Sequence, residues 1–264
     1  LTITIALALQ KGGVGKTTTA ASLGMELARA GNRVLLVDTD HQGNLTAALG
    51  VTVGPDDPTV YELLINPTLA AQLPVVTTDY GVDLIVATMR LAGAESRLAS
   101  KYGRELLLRT ALRCARERYD YILIDSPPSL GLLTANALVA ADTILVPLQA
   151  HWFALDAMAG LSETIAEIRA INPALHIGGI VVTMVDKRTS LSRDIERAAR
   201  DAYGALVFAT TIPLSTRLAE APAAGQPIAA YAGDSAGARA YAALAEEVMA
   251  RWPVAGKEHA RNDR

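Results

Sequence analysis

Cysteine is almost absent from this chain. Cys114 stands alone among 264 residues, so no internal disulfide can form and no Cys-x-x-Cys or Cys/His cluster offers a zinc site. It lies in an apolar, helix-like run and reads as a small buried hydrophobe rather than a nucleophile. A reducing compartment fits that usage. Long apolar runs are also missing. The longest such region, Leu130 to Leu148, is interrupted by Thr134, Asn136, Asp142 and Pro147, short of the roughly 18 residues that read as a membrane span. The first residues alternate like a strand instead of following the basic-then-apolar plan of a signal peptide. A soluble, cytoplasmic chain is expected. No excess of positive charge exists either: the formal net charge is −3, which argues against a globally basic nucleic-acid binder but leaves room for a local patch.

What is present is apolar strength, 51% of residues, enough for a large core without disulfides. Strand-length apolar runs alternate with helical patterns along the chain. Strands are predicted at Thr2–Leu9, Arg33–Asp38, Val82–Ala87, Tyr121–Asp125, Thr143–Pro147 and Ile177–Val185. Helices are predicted at Lys16–Ala30, Arg104–Glu117, Thr134–Ala140, Ala154–Ile171, Ser192–Tyr203 and Ala236–Arg251. Near-continuous apolarity, as in Ile122-Leu123-Ile124, suits strands buried on both faces of a largely parallel sheet. Thr59 and Glu62 have capping-box spacing for a short helix. They sit in an irregular stretch from Gly50 to Val82, marked by Pro55, Pro58, Pro67 and Pro74, which reads as an excursion at the sheet edge. The expected fold class is α/β, a doubly wound, mostly parallel sheet flanked by helices, with one domain over residues 1–252 and a polar tail over 253–264.

Between the first strand and the first helix lies Gln10-Lys11-Gly12-Gly13-Val14-Gly15-Lys16-Thr17-Thr18. Glycines let the backbone turn its N–H groups onto a phosphate, and the following helix presents its positive end. Lys16 is placed for the β- and γ-phosphates, the Thr17 hydroxyl for Mg²⁺, and Thr18 for the α-phosphate. Gln10 stands where the strict P-loop pattern has its first glycine, and a second lysine, Lys11, lies inside the loop. The second strand runs out into Asp38-Thr39-Asp40-His41, and the apolar strand Tyr121–Asp125 ends in a carboxylate with the form of a Walker B segment. Asp125 is expected to hold Mg²⁺ through water.

Lys11-Gly12-Gly13-Val14-Gly15-Lys16-Thr17 resembles the deviant Walker A signature of the ParA/MinD/nitrogenase-iron-protein class of P-loop ATPases. Segments Val37–Leu49, Tyr121–Leu138, Thr183–Ser192, Arg217–Pro222 with Gly225-Gln226-Pro227, and Gly237–Tyr241 resemble the ParA partition ATPases in particular, in the short form without a preceding helix-turn-helix domain. The resemblance implies ATP and Mg²⁺ as ligands and a P-loop of Gly12, Gly13, Val14, Gly15, Lys16, Thr17 and Thr18 around the nucleotide. It implies Lys11 reaching across a homodimer to the partner's nucleotide, Asp40 orienting the attacking water, and Asp38 supporting the metal shell and loop geometry. It further implies an ATP-bound sandwich dimer on non-specific double-stranded DNA, nucleoid-associated and released when a ParB-like partner stimulates hydrolysis. A positioner of protein cargo, or a metabolic ligase of the same fold, is the alternative.

A basic stripe offers the physical counterpart. Lys187, Arg188, Arg193, Arg197 and Arg200 fall within fourteen residues against Asp194 and Glu196, a local +3 in an acidic chain. Arg193, Arg197 and Arg200 share helical spacing, and phosphates reward such a stripe without base contacts. By resemblance, Arg188 and Arg217 match DNA-binding positions. Three departures stand out: Leu214 where relatives usually carry arginine, His151 where an acidic residue is usual, and His41 where proline is usual. One cysteine excludes a shared iron–sulfur cluster, and Pro253 breaks the tail that a membrane-cycling relative would use as an amphipathic helix.

Overall fold

Tyr121-Ile122-Leu123-Ile124-Asp125 is buried along its whole length, and so is Val34–Asp38 beside it. Strands covered on both faces must sit at the centre of a sheet with helices on either side. The computed structural model describes residues 2–66, 72–151 and 154–254; Pro67 and residues 255–264 of the expected tail lie outside them. The first half runs β1 (Ile3–Leu7), α1 (Lys16–Arg29), β2 (Val34–Asp38), α2 (Asn44–Ala48), α3 (Val60–Ile65), β3 (Val76–Thr77) and β4 (Asp83–Ile85). It continues with α4 (Ala94–Leu98), α5 (Leu107–Ala111), β5 (Tyr121–Asp125), α6 (Leu132–Ala140) and β6 (Thr143–Gln149). Then come α7 (Ala154–Ile168), β7 (Ile177–Val185), α8 (Ser190–Tyr203) and β8 (Val207–Pro213). Three helices close the described chain: α9 (Thr216–Glu220), α10 (Ile228–Tyr231) and α11 (Ala236–Arg251).

The eight strands form one sheet in the order β3-β4-β2-β5-β1-β6-β7-β8, parallel except for the β3–β4 pair. The pleat sorts the core. Ile5, Leu7, Leu36 and Leu123 pack against Leu23 and Leu27 of α1 and Tyr241, Leu244 and Val248 of α11. On the other face Ala6, Ile144 and Val146 meet Leu138, Met158 and Leu161, while Val37 and Ile122 meet Leu63 and Leu108. Cutting one such side chain, Leu23→Ala for example, costs about 2–5 kcal/mol by lost burial and cavity.

Several expectations change. The helix predicted over Arg104–Glu117 is broken into a 3₁₀ turn at Arg104–Leu106, the short α5, and another 3₁₀ turn at Ala115–Glu117. Asn136 of α6 explains the first break: its amide nitrogen donates to Arg104 O (2.9 Å) and its oxygen accepts from Leu108 N (3.0 Å). Those two backbone groups would bond each other in a continuous helix. On the interrupted segment Cys114 is exposed, not buried. The sheet also gains two edge strands, β3 and β8, that the sequence pattern does not signal. Elsewhere the capping box forms as expected, with Tyr61 N donating to Thr59 Oγ1 (3.2 Å) and Thr59 N to Glu62 Oε2 (2.9 Å). Packing continues past the expected boundary at 252, since Val254 is buried in the core. No described helix is long and apolar enough to cross a membrane.

Candidate nucleotide site and basic surface

Parallel register brings the C-terminal ends of β1, β2 and β5 to one level, with Leu7 and Asp38 both opposite Asp125. Short bonds lock that edge: Thr39 Oγ1 donates to Asp125 O (2.7 Å) and Ser126 Oγ to Leu7 O (2.7 Å). The loop from Gln10 to Gly15 leaves this edge and enters α1. Gly13 (φ 72°) and Gly15 (φ 93°) take left-handed backbone, which a side chain would resist. Val14 between them is buried among the apolar residues beneath α7, and its carbonyl accepts from Thr183 Oγ1 (2.9 Å), so the loop is anchored to β7.

A cleft of about 890 Å³ opens over this loop. Gly12, Gly13, Val14, Gly15, Lys16, Thr17 and Thr18 line one side, with Asp40, His41 and Gln42 beside them. Lys16 is buried, and its Nζ donates to Leu9 O (3.1 Å) and Lys11 O (3.0 Å). Burial lowers the pKa of this ammonium, against the opposing pull of Asp125 and Asp40. Thr17 Oγ1 donates to Asp125 Oδ2 (2.7 Å). The Asp125 carboxyl is driven up to about 8 by burial and by the neighbouring charge of Asp38.

Two buried polar atoms at this end of the sheet, Lys11 Nζ and Asp125 Oδ1, have no hydrogen-bond partner among the described residues. An orphaned ammonium and an orphaned carboxylate oxygen are costly in a folded chain. A buried cation and a buried carboxylate oxygen at one end of the sheet suit a site that takes an anion and a cation together, so the donor set fits Mg²⁺ with a phosphate chain. Among the described residues no group of three or more His, Cys, Asp or Glu side chains could hold a metal ion. Mg²⁺ suits such a site, since it keeps much of its water and shares the rest with phosphate.

Asp38 has a different task. Oδ1 accepts from Asp40 N (3.1 Å), and Oδ2 accepts from Thr46 N (2.9 Å) and Thr46 Oγ1 (2.8 Å), which fixes the loop into α2. Burial pushes its carboxyl up to about 6. Asp40, nearly buried, lines the cleft and accepts from Gln42 N (3.0 Å), with His41 Nδ1 3.7 Å away.

Met184, Leu218, Ala219, Pro222 and Ala223 also line the cleft, and nothing in their sequence pattern marks them as neighbours of a nucleotide. Met184 is the single non-glycine residue with positive φ (56°) among those described.

The basic residues divide. Lys187 and Arg188 lie exposed in the turn after β7 and line a second cleft of about 790 Å³ with Leu214 and Arg239. Arg239 gives no cationic signal in the sequence, because its immediate neighbours carry no charge. Arg188 pairs with Asp186 (2.8 Å), whose carboxyl it holds down to about 2. Arg193 is exposed and donates to Lys187 O (2.9 Å); Arg197 is exposed on the same helix. Arg217 is exposed near Glu220 (3.4 Å). Arg200 leaves the stripe. It donates to Phe208 O (3.2 Å) and Ala209 O (3.3 Å) and pairs with Glu196 (2.9 Å). Glu247 accepts from Ala209 N and Thr210 N, both at 2.7 Å. Together they cover the open edge of β8, a common guard against strand-to-strand association. Leu214, which lines the basic cleft, is 61% exposed, and His151 is exposed just after β6.

Comparison with known proteins decides the family. A family model described as an AAA domain matches residues 2–177. The chromosome-partitioning ATPase Soj of Thermus thermophilus is 51% identical over 248 residues, 94% of this chain and 95% of that one. The chain belongs to the ParA-type family of partition ATPases. A second ParA-type relative, the sporulation initiation inhibitor protein Soj of Bacillus subtilis, is 43% identical over 247 residues, 93% of this chain and 98% of that one. Among solved structures, a cobyrinic acid a,c-diamide synthase from Mycobacterium smegmatis with a bound ATP analogue and magnesium superimposes with a TM-score of 0.83. It is 38% identical, with 96% of each chain covered. ParA-type membership makes this chain a P-loop ATPase, and its mostly parallel, helix-flanked sheet is that of the class.

Proposed function

We propose that this chain is a DNA-segregation ATPase whose ATP-bound homodimer holds double-stranded DNA without sequence preference and lets go after hydrolysis. The observation that carries the reading is that one strand, β7, serves both clefts: Thr183 and Met184 face the phosphate loop and its cleft, and Lys187 and Arg188 follow within four residues.

Lys16 and the glycine-rich backbone hold the phosphate chain. Thr17 and Asp125 hold Mg²⁺, Asp125 through water, and Asp38 fixes the loop that presents Asp40. Bound Mg²⁺ supplies positive charge at the phosphates and so stabilises charge that develops during transfer. Asp40 accepts a hydrogen bond from the attacking water and aims it. Lys11 is offered across the dimer to the partner's nucleotide, so full charge stabilisation waits for two chains to close. Lys187, Arg188, Arg193, Arg197 and Arg217 meet phosphates, and dimerisation doubles their number. A ParB-like protein on the cargo stimulates turnover. The protein works in the cytoplasm, on the nucleoid while ATP is bound.

The likeness to the diamide synthase favours a second reading, a small-molecule ligase of the same fold. Binding to random-sequence duplex with ATP, with ADP and with no nucleotide separates the two, with Asp40→Ala used to hold the ATP state. Binding in ATP alone is the expected result. No binding in any state, with ADP released only when a small-molecule acid is added, would replace partition by the ligase.

A further inference from the structure

β7 and β8 run parallel, but their register slips twice: two steps along β7 from Ile180 to Val182 match four along β8, and a second slip of opposite sense follows near their C-terminal ends. Val182 is opposite Thr211 and Val185 is opposite Pro213, so three steps along β7 match two along β8. One residue is extra, which makes a β-bulge, and Met184 sits in it with φ 56°. Left-handed bulge positions suit glycine, which adopts them without strain. A bulky side chain kept there, facing the nucleotide cleft, is the mark of strain tied to function.

Its neighbours reach in both directions. One residue before, Thr183 Oγ1 donates to the phosphate-loop carbonyl of Val14 (2.9 Å). One residue after, Val185 O accepts from Leu214 N (3.1 Å), which ties the bulge to the segment leading to Arg217. Asp186 N donates to Ser192 Oγ (3.2 Å) in the first turn of α8, and Lys187 and Arg188 complete the turn. Any change in the backbone at Met184 therefore moves the base of both cationic segments.

We propose that Met184 is the positioning residue that reports occupancy of the nucleotide cleft to the basic cleft. It rests on the reading above, that the basic surface binds DNA in the ATP state, and names the residue through which that state is sensed. A filled cleft bears on the Met184 side chain. The bulge, already strained, is a place where a small push selects between two backbone conformations. The left-handed form and an extended form direct Val185–Arg188 differently, and the Leu214–Val185 bond carries the same change to β8.

The test is the ratio of duplex-DNA affinity at saturating ATP to that without nucleotide, on the Asp40→Ala background, so that altered nucleotide affinity drops out. Met184→Gly keeps the bulge and removes both strain and side chain; it is expected to lower that ratio about tenfold while the melting temperature holds or rises. Met184→Ala is expected to lose the ratio as well, and Met184→Leu, which restores a bulky apolar side chain, to recover it. An unchanged ratio in Met184→Gly overturns the proposal, as does failure of Met184→Leu to recover it. Loss of the ATP dimer in Met184→Gly, read by light scattering, also overturns it, since the residue would then act on the interface. If the parent protein binds no DNA in any state, the partition reading fails separately. Amide exchange over Val185–Arg188 then decides: ATP-dependent protection in the parent that Met184→Gly lacks upholds the relay, and equal exchange in both removes it.

Discussion

The phosphate-loop end of the sheet and the basic surface beyond β7 are built on opposite terms. At the loop, charged groups are buried and their positions fixed by the sheet edge, with two polar atoms left unpartnered. On the basic surface the cations are exposed and several already have company, Asp186 beside Arg188 and Glu220 beside Arg217. The buried end stores unfavourable charge that a ligand relieves. The exposed end gains from a polyanion only by exchanging weak, solvent-screened pairs for phosphate contacts. Nucleotide binding should therefore hinge on single residues, and DNA binding on a sum.

The sharpest way to break that contrast is Lys16→Ala, which is expected to weaken ATP binding at least about a hundredfold by calorimetry, because it removes the buried charged donor. Retained tight binding would put the phosphates elsewhere. Asp40→Ala should bind ATP and lower turnover by about a hundredfold, the scale of a lost proton-handling or water-aiming group; normal steady-state hydrolysis would move that role to another side chain. On the exposed end, Arg188→Glu with Arg217→Glu should abolish gel shifts at physiological salt while ATP-driven dimerisation persists. Arg200→Ala sharpens the comparison from within the same stripe. It should change DNA affinity by less than about twofold, yet lower the melting temperature by about 2–4 °C through lost bonds to Phe208 O and Ala209 O.

An effect of similar size comes from charge burial itself. A carboxyl whose folded pKa stands at about 8 binds a proton more tightly in the folded chain than in the unfolded one. Stability of the ligand-free protein is therefore lost as pH rises from about 4 through about 8. Asp38 adds the same sign up to about 6. Asp125→Asn should melt about 3 °C above the parent at pH 8.5 without Mg²⁺ and no higher at pH 4. A constant offset across that range would mean the gain is not electrostatic.

How much of this was legible in the sequence follows the same division. Strand ends, glycines and lysine of the phosphate loop are local in the chain, and both β5 and β7 occupy the residues their apolar runs marked. Other features depend on distant partners. The break at Arg104 is made by an amide at Asn136, and the fate of Arg200 is set by carbonyls on β8. β8 itself carries Ala209, Thr210 and Thr211 at an open edge and lacks the unbroken apolar pattern of a central strand. Charge spacing put Arg200 in the stripe and missed Arg239, since only the fold sets Arg239 beside Lys187 and Arg188. Nothing in the spelling of Thr183-Met184-Val185 marks a bulge.

The most direct measurement is the salt dependence of duplex-DNA affinity for the Asp40→Ala protein, taken once with ATP and once with ADP. With ATP, the logarithm of the association constant should fall steeply against the logarithm of salt concentration, by about 0.9 for each phosphate engaged. With ADP, little affinity should remain to measure. Equal slopes and affinities in the two states would contradict the link between the phosphate-loop cleft and the basic surface.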